Sequence, residues 1–479
     1  MIVLFLLLCL YCPFADAAGR YFSRKEVLRT EHADWMRWLP DELNLSQISM
    51  PGTHDTMADK YGGNIQTQSL SLKKQLEAGV RVIDIRARHV SDTFEIYHGI
   101  CNLGYSFGPD VLSVCVDFLR EHPFETIIMK LGESGVPGAY NTSREYWETF
   151  MSYREDPAYS SYFWQKPSDW PPPPNLGEVR GKIILIQKFS SPNPIGFSDF
   201  DLAFFPFGLW NVPTLFHIKS NWKKKREFLE AVNVRVFGNR CNITSLSGNS
   251  ALAHPNHIAG GFLCFFRGIN DYALEYIFRG DHEYLGTLMM DFPGEGLINA
   301  LIAMNMKHAT SSSAIADDFS DMWNNICYSA TGKPYNNGEG RVVQLTSYLK
   351  NILPSEKWAL IVTKSDWGAD IVHSGLFATS KPIEGYSHLA FTRNNPVSLP
   401  SGFAEAVEEM EKTVSGKAQK RAERLAQLIR DQFPEYEWSV FVKKAPGGGA
   451  NWAFTLKGPY YKEWKDGFAY VVWAENKVD

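Results

Sequence analysis

From residue 45 to about 308, short apolar runs alternate with amphipathic ones. The runs 45–53, 80–87, 94–97, 126–131, 182–187 and 285–291 are short and rich in β-branched residues, which predicts strands. The stretches 69–78, 111–121, 143–153, 222–232 and 294–306 carry apolar residues at helical spacing. Alternation of β and α over ~250 residues predicts an α/β barrel. The alternative is an open doubly wound sheet. No glycine-rich dinucleotide loop follows any of these strands, which argues against it.

Beyond the Ala309–Ala316 segment, ATSSSAIA, the pattern changes. Helical stretches at 342–352 and 419–433 precede the strand-like runs WALIVTK and WSVFVKK, which begin at Trp358 and Trp438. Two further strand-like runs follow each: LFAT and HLAFTRN, then WAFTL and AYVVWAEN. This predicts an α+β domain over 313–479. It reads as a duplicated unit of one helix and a three-stranded antiparallel sheet, about 317–400 and 401–479. Such a domain is a candidate surface for self-association.

The chain opens with MIVLFLLLCLYCPFADAAG. An apolar run followed by the small-x-small sequence Ala15-Asp16-Ala17 predicts a signal peptide over 1–17, although no Lys or Arg precedes the run. The run before Pro13 is too short to span a bilayer, and no later run reaches that length. The mature protein is therefore expected to be secreted, with its first domain over 18–312. Sequons at Asn44, Asn141 and Asn242 suit that route as N-glycan acceptors. Of the five cysteines past the signal, Cys101–Cys115 and Cys241–Cys264 are plausible local disulfides, and Cys327 is left over. A loop of about 15 residues would gain roughly 3 kcal/mol from such a bridge in the chain-entropy model. The 479 residues are 44% apolar and 21% charged, which excludes long disorder, and a net charge of −5 gives no sign of a nucleic-acid partner.

The polar residues on the strands carry the chemistry. In RVIDIRARH, Val82, Asp84, Arg86 and Arg88 alternate with Ile83 and Ile85. Charges on an interior face are costly unless they pair or meet a ligand. His54 and Asp55 follow the first strand. His98 closes EIYHG, Lys130 and Glu133 close TIIMKLGES, Lys188 closes KIILIQK, and Asp291 closes LGTLMMD. Barrel active sites form at such strand ends. The chain has no G-x-S-x-G elbow and no HExxH zinc motif. Two histidines flanking a phosphate, with an arginine between them, suit general acid–base cleavage of a phosphodiester.

The motifs MPGTHDT, VRVIDIRAR, IYHG and PFETIIMKL resemble the X region of phosphatidylinositol-specific phospholipase C, in its bacterial-type branch. VRGKIILIQKF, NITSLSG and LMMDFPG extend the likeness over roughly 40–305. The resemblance implies a distorted TIM-type barrel. It implies His54 as general base on the inositol 2-hydroxyl with Asp291 orienting it. His98 would be the general acid with Asp55 as its helper, and Arg86 would bind the phosphate with Asp84 in the same network. The products would be diacylglycerol and inositol 1,2-cyclic phosphate, from a phosphatidylinositol-type headgroup at a membrane surface. Calcium-dependent relatives carry a carboxylate where this chain has Arg86, so no metal or other cofactor is expected.

The chain also departs from the branch. Bacterial members hold the inositol hydroxyls with Lys, Arg, Asp and Tyr. Here Lys130 and Glu133 are candidate binding residues and Lys188 stands in for the Arg. The stretch LFHIKSN offers only His217 and Lys219 for the Asp and Tyr. LAFFPFGLW, 202–210, is either an interfacial loop or a segment packed under the second domain, and DWPPPPN, 169–175, reads as a stiff connector. Two other functions remain open. One is a glycerophosphodiesterase- or sphingomyelinase-D-like barrel, into whose magnesium site Arg86 fits badly. The other is a non-catalytic lipid- or glycan-binding module, which would need no acid–base pair.

Overall fold

The computed structural model describes residues 20–476 apart from short stretches, the longest being 135–139, 166–172, 198–208, 328–337, 372–376, 381–385 and 445–451. The signal segment, 202–208 of the aromatic run, 169–172 of the proline run and Cys264 therefore lie outside the described residues. The chain divides into two compact units, residues up to Ile277 with Asp281–Thr310, and Phe278–Gly280 with Ser311–Asp479.

The first unit is built on β1 (Met50–Thr53), β2 (Val82–Val90), β3 (Thr93–His98), β4 (Cys101–Ser106), β5 (Ile127–Glu133), β6 (Ile183–Lys188) and β7 (Ile243–Ser245). A small hairpin, β8 (Gly261–Phe262) and β9 (Phe266–Arg267), precedes β10 (Thr287–Met290). Parallel pairing runs β7-β10-β1-β2-β5-β6. The outer strands β6 and β7 face one apolar interior, since Ile184 and Ile186 line the same small cavity as Ile243 and Thr287. The sheet thus curls toward a barrel, and helices 72–77, 113–121, 146–154, 218–233 and 295–303 follow its strands. Close packing at β1 depends on Gly52, where a Cβ would come within 2.6 Å of Met289 Sδ.

The parallel strands all end at one mouth, and β3 differs. It runs antiparallel to the far half of β2, with Val90 paired to Thr93 and Ala87 to Ile96. Ser91 and Asp92, both at positive φ (47° and 58°), make the two-residue turn that this hairpin needs. His98 therefore reaches the mouth by folding back, not from the end of a barrel strand as its place closing EIYHG suggested.

The second unit contains β11 (Trp358–Lys364), β12 (Trp367–Asp370), β13 (Phe377–Thr379), β14 (Tyr386–Thr392), β15 (Tyr436–Lys444), β16 (Trp452–Thr455), β17 (Tyr461–Lys465) and β18 (Phe468–Asn476). Among the described residues its sheets hold four strands each, not three: β13-β14-β11-β16 and β12-β15-β18-β17. Each sheet takes an edge strand from the other half of the unit. β16 pairs with β11, and β12 with β15. WGAD (β12) therefore corresponds to WAFT (β16), whereas the linear pattern matched WAFTL to LFAT. The sheets share a core in which Ala359, Ile361, Leu389 and Phe391 meet Phe441, Val471 and Trp473. Trp438, Val440 and Val442, on the opposite face of β15, pack with helices 403–411 and 418–432. Both faces of β15 are buried, which explains its nearly continuous apolar run.

The expected Cys101–Cys115 disulfide is not formed, and the Cys241–Cys264 pairing involves a residue outside the described ones. Cys101, Cys115, Cys241 and Cys327 are free thiols. Cys101 sits partly exposed at the start of β4 while Cys115 is buried in helix 113–121, where burial alone raises its pKa to about 12. Of the three sequons, only Asn141 is exposed. Asn242 is buried, and the Asn44 amide donates to Pro173 O and Asn175 Oδ1 while its oxygen caps the turn at Ser46 N. No helix among the described residues is long and apolar enough to cross a membrane.

Candidate active site

The strand ends converge on a cavity of about 550 Å³. His54, Asp55, Asp84, Arg86, His98, Lys130, Glu133 and Asp291 all border it. β1 delivers the first two through a strained turn: Asp55 has φ 41°, a left-handed conformation that Asp tolerates better than most residues. Side chains lock that turn. Gln68 Nε2 donates to the carbonyls of His54 (2.7 Å) and Met290 (2.9 Å), and Thr67 Oγ1 donates to Asp55 O (3.1 Å). Phe292, after Asp291, is also at positive φ (45°), and Asn270 Nδ2 donates to Asp291 O (2.9 Å).

His54 Nδ1 donates to Asp291 Oδ1 at 3.0 Å, and His54 Nε2 lies 3.3 Å from Asp55 Oδ2. The same Asp55 oxygen is 3.2 Å from His98 Nε2. His98 Nδ1 donates to Ile65 O at 2.6 Å, which fixes its ring and turns Nε2 toward the cavity. Arg86 grips Asp84 with two donors, Nε at 2.9 Å and Nη2 at 3.1 Å, and Nε also lies 3.5 Å from Asp55 Oδ1. Lys130 Nζ completes the cluster 3.1 Å from Asp84 Oδ1.

The electrostatics follow from this crowding. Burial disfavours charge on His54, but the Asp55 and Asp291 carboxylates, with Asp84 behind them, outweigh it and raise its pKa to about 9. Burial likewise opposes charge on Asp84, yet Arg86 and Lys130 hold its carboxyl far below the usual range. Asp55 is lowered in the same way: burial opposes the shift, and His54, Arg86 and His98 outweigh it. Asp84 is the largest influence raising Arg86. Atoms of His54, Asp55 and Asp84 lie within 4.8 Å of one another, close enough to hold a cation. Arg86 and Lys130 already occupy these carboxylates, so the donor set suits a metal poorly.

Three placements differ from expectation. Lys188, at the end of β6, is not among the residues bordering the cavity. Burial lowers its pKa, and nearby Lys130 and Arg86 add to that, so it stands close behind. Arg88 turns to the rim, where its guanidinium covers the Tyr97 ring at 4.1 Å and Nη2 donates to Gly99 O. His217 and Lys219 are exposed and border nothing in the cavity. The groups that do face it from that side are Ser245, Ser247 and Asn249 with Trp210. Ser245 and Ser247 alternate at the end of NITSLSG, and that period-two spacing was the available signal.

Comparison with known proteins finds the following likenesses. Residues 44–189 match the family described as Phosphatidylinositol-specific phospholipase C, X domain. The 1-phosphatidylinositol phosphodiesterase of Listeria monocytogenes is 32% identical over 291 residues, covering 57% of this chain and 84% of that protein. The 1-phosphatidylinositol phosphodiesterase of Staphylococcus aureus is 29% identical over 184 residues, covering 36% of this chain and 56% of that protein. The solved Listeria monocytogenes phosphatidylinositol-specific phospholipase C aligns with 58% of this chain and 99% of its own, at 28% identity and a TM-score of 0.45.

Proposed function

Because the chain belongs to the phosphatidylinositol-specific phospholipase C X-domain family, we propose that it cleaves a phosphatidylinositol-type lipid by general acid–base catalysis, without a metal. The observation that carries this is the single Asp55 oxygen held between two imidazoles, 3.3 Å from His54 and 3.2 Å from His98, with Arg86 alongside. A phosphodiester placed against Arg86 would then have one histidine on the side of the attacking hydroxyl and the other on the side of the departing ester oxygen.

In this mechanism His54 accepts the proton of the inositol 2-hydroxyl as its oxygen attacks phosphorus, and Asp291 fixes the ring through Nδ1. His98 protonates the departing diacylglycerol oxygen as the phosphorus–oxygen bond breaks. Diacylglycerol and inositol 1,2-cyclic phosphate result. Arg86 takes up charge growing on the phosphate, where a calcium ion would otherwise serve. Asp84 holds the guanidinium in place through its two hydrogen bonds. Lys130 and Glu133, which border the same mouth, would bind the headgroup, with Lys188 beside them on β6.

The mouth also suits a lipid surface. Trp210 borders the cavity and is exposed, and Ile100 follows the bordering Gly99 and is 80% exposed. Large apolar side chains around a polar pocket mark an interaction site. Export through the signal segment and glycosylation at Asn141 complete the reading of a secreted enzyme, with residues 18–312 as its catalytic domain. The test is incubation of the purified chain with radiolabelled phosphatidylinositol, with and without chelator. Labelled cyclic inositol phosphate should form equally in both. No product, or product only with added calcium or magnesium, would overturn the proposal.

A further inference from the structure

Helix 218–233 buries Ile218, Trp222, Lys225, Leu229 and Val232, the spacing of one apolar stripe. A lysine on that stripe calls for explanation, because a buried ammonium is expensive. Its neighbours Lys223 and Lys224 are exposed, whereas Lys225 has no exposed surface. Lys225 Nζ donates to the backbone carbonyl of Ser247 at 2.6 Å. Ser247 in turn shares a hydroxyl–hydroxyl hydrogen bond of 2.6 Å with Ser245, and both side chains border the catalytic cavity. Burial lowers the Lys225 pKa to about 7, and the Asp291 carboxylate resists that fall. The lysine therefore stands behind the β7 wall, within electrostatic reach of the residue that holds His54.

We propose that Lys225 is a positioning residue for substrate recognition: by anchoring the Ser247 carbonyl it sets the paired hydroxyls of Ser245 and Ser247 as the wall that receives the hydroxyls of a polyol headgroup. This rests on the phosphodiesterase reading above. A serine hydroxyl both donates and accepts, so two of them side by side match adjacent hydroxyls of a sugar-like ring. The cations Arg86 and Lys130 stand together on Asp84, where the phosphate would sit, and among the described residues the wall's polar groups are the neutral Ser245, Ser247 and Asn249. A wall built on a loop beyond a three-residue strand needs support to hold such groups in register. Lys225 supplies it from a helix.

The full chain is tested as wild type, Lys225→Met, Ser245→Ala/Ser247→Ala and all three changes together. Two readouts are taken: kinetics on a short-chain, water-soluble phosphatidylinositol, and calorimetric affinity for myo-inositol 1-phosphate, which needs no turnover. Lys225→Met should raise KM and weaken inositol phosphate binding roughly tenfold, the scale of one or two lost hydrogen bonds, with kcat changed less than about threefold. The triple variant should be no worse than the double-serine variant, because the lysine acts through the wall. Wild-type affinity in a folded Lys225→Met protein, or additive losses, would overturn the proposal. If Lys225→Met fails to fold, unchanged KM and affinity in the double-serine variant would overturn it as well. A wild type that binds inositol phosphate through this wall yet turns over no lipid would sink only the catalytic reading.

Discussion

Two arginines on one chain segment, Arg81 just before β2 and Arg86 within it, have opposite fates. Arg81 is completely buried and pairs with the equally buried Glu125 at 2.7 Å. Its remaining donors reach the carbonyls of Leu76, Val80, Ala33 and His32, and Glu125 also accepts from Met36 N. Burial lowers the Arg81 pKa and raises that of Glu125, and the charge of each partner opposes that shift in the other. Arg86 leaves 34% of its side chain open to the cavity and meets two carboxylates, not one. There the surplus of opposite charge prevails over burial, and Arg86 is raised while Asp84 is lowered. A closed, fully satisfied pair at the amino end of the strand holds the barrel together. An open pair at the carboxyl end leaves a guanidinium facing the space where a ligand sits.

The contrast can be broken by mutation, and the largest effect should fall at the closed pair. Arg81→Met strands a buried carboxylate and four carbonyls, a loss of about 3–5 kcal/mol from a fold whose whole stability is about 5–15. The expected outcome is insoluble protein or a collapsed melting temperature, and a folded, active variant would show the pair to be dispensable. His54→Ala and His98→Ala should each lower kcat by roughly two to four orders of magnitude while circular dichroism and melting stay near wild type. Near-normal turnover in either would remove it from the acid–base pair. Arg86→Met should lower kcat by about two to three orders of magnitude, with a melting temperature close to wild type because the site is half open. A folding defect as severe as that of Arg81→Met would erase the distinction between the two pairs.

The smallest effect concerns titration. His54 must be unprotonated to accept a proton, and Asp55 helps raise its pKa to about 9. Activity of the wild type should therefore rise with pH toward that value. Asp55→Asn removes one of the carboxylates holding the proton, so the rising limb should move to lower pH by about one unit. Asn also tolerates the left-handed backbone at this position. NMR titration of the His54 ring checks the direction, and an unmoved or raised pKa would show that Asp55 does not set it.

Much of the site was legible because strands expose alternate residues and barrels open their active sites at strand ends. Val82, Asp84 and Arg86 could be placed on one face from spacing alone, and His54, Lys130 and Asp291 from their positions after apolar runs. What was not legible depends on distant pairings. Lys225 lies in the cationic run KKKR, where composition suggests solvent, and only its helical phase with Trp222 and Leu229 points inward. Linear order offered only His217 and Lys219 in place of the family's Asp and Tyr, and the chain folds both outward and brings Ser245 and Ser247 in.

By itself the sequence determined what depends on local periodicity and residue chemistry: which runs become strands, which become helices, and which polar groups cap them. Only the tertiary structure decided which of those groups meet. Asp55 serves both His54 and His98 because a two-residue turn folds β3 back along β2 while β1 lies parallel between β2 and β10, and that long-range parallel pairing is one no local pattern encodes. The exchange of β12 and β16 between the halves of the second unit has the same cause. An edge strand has the same alternation whichever sheet receives it, so its partner is selected by the packing of the whole unit.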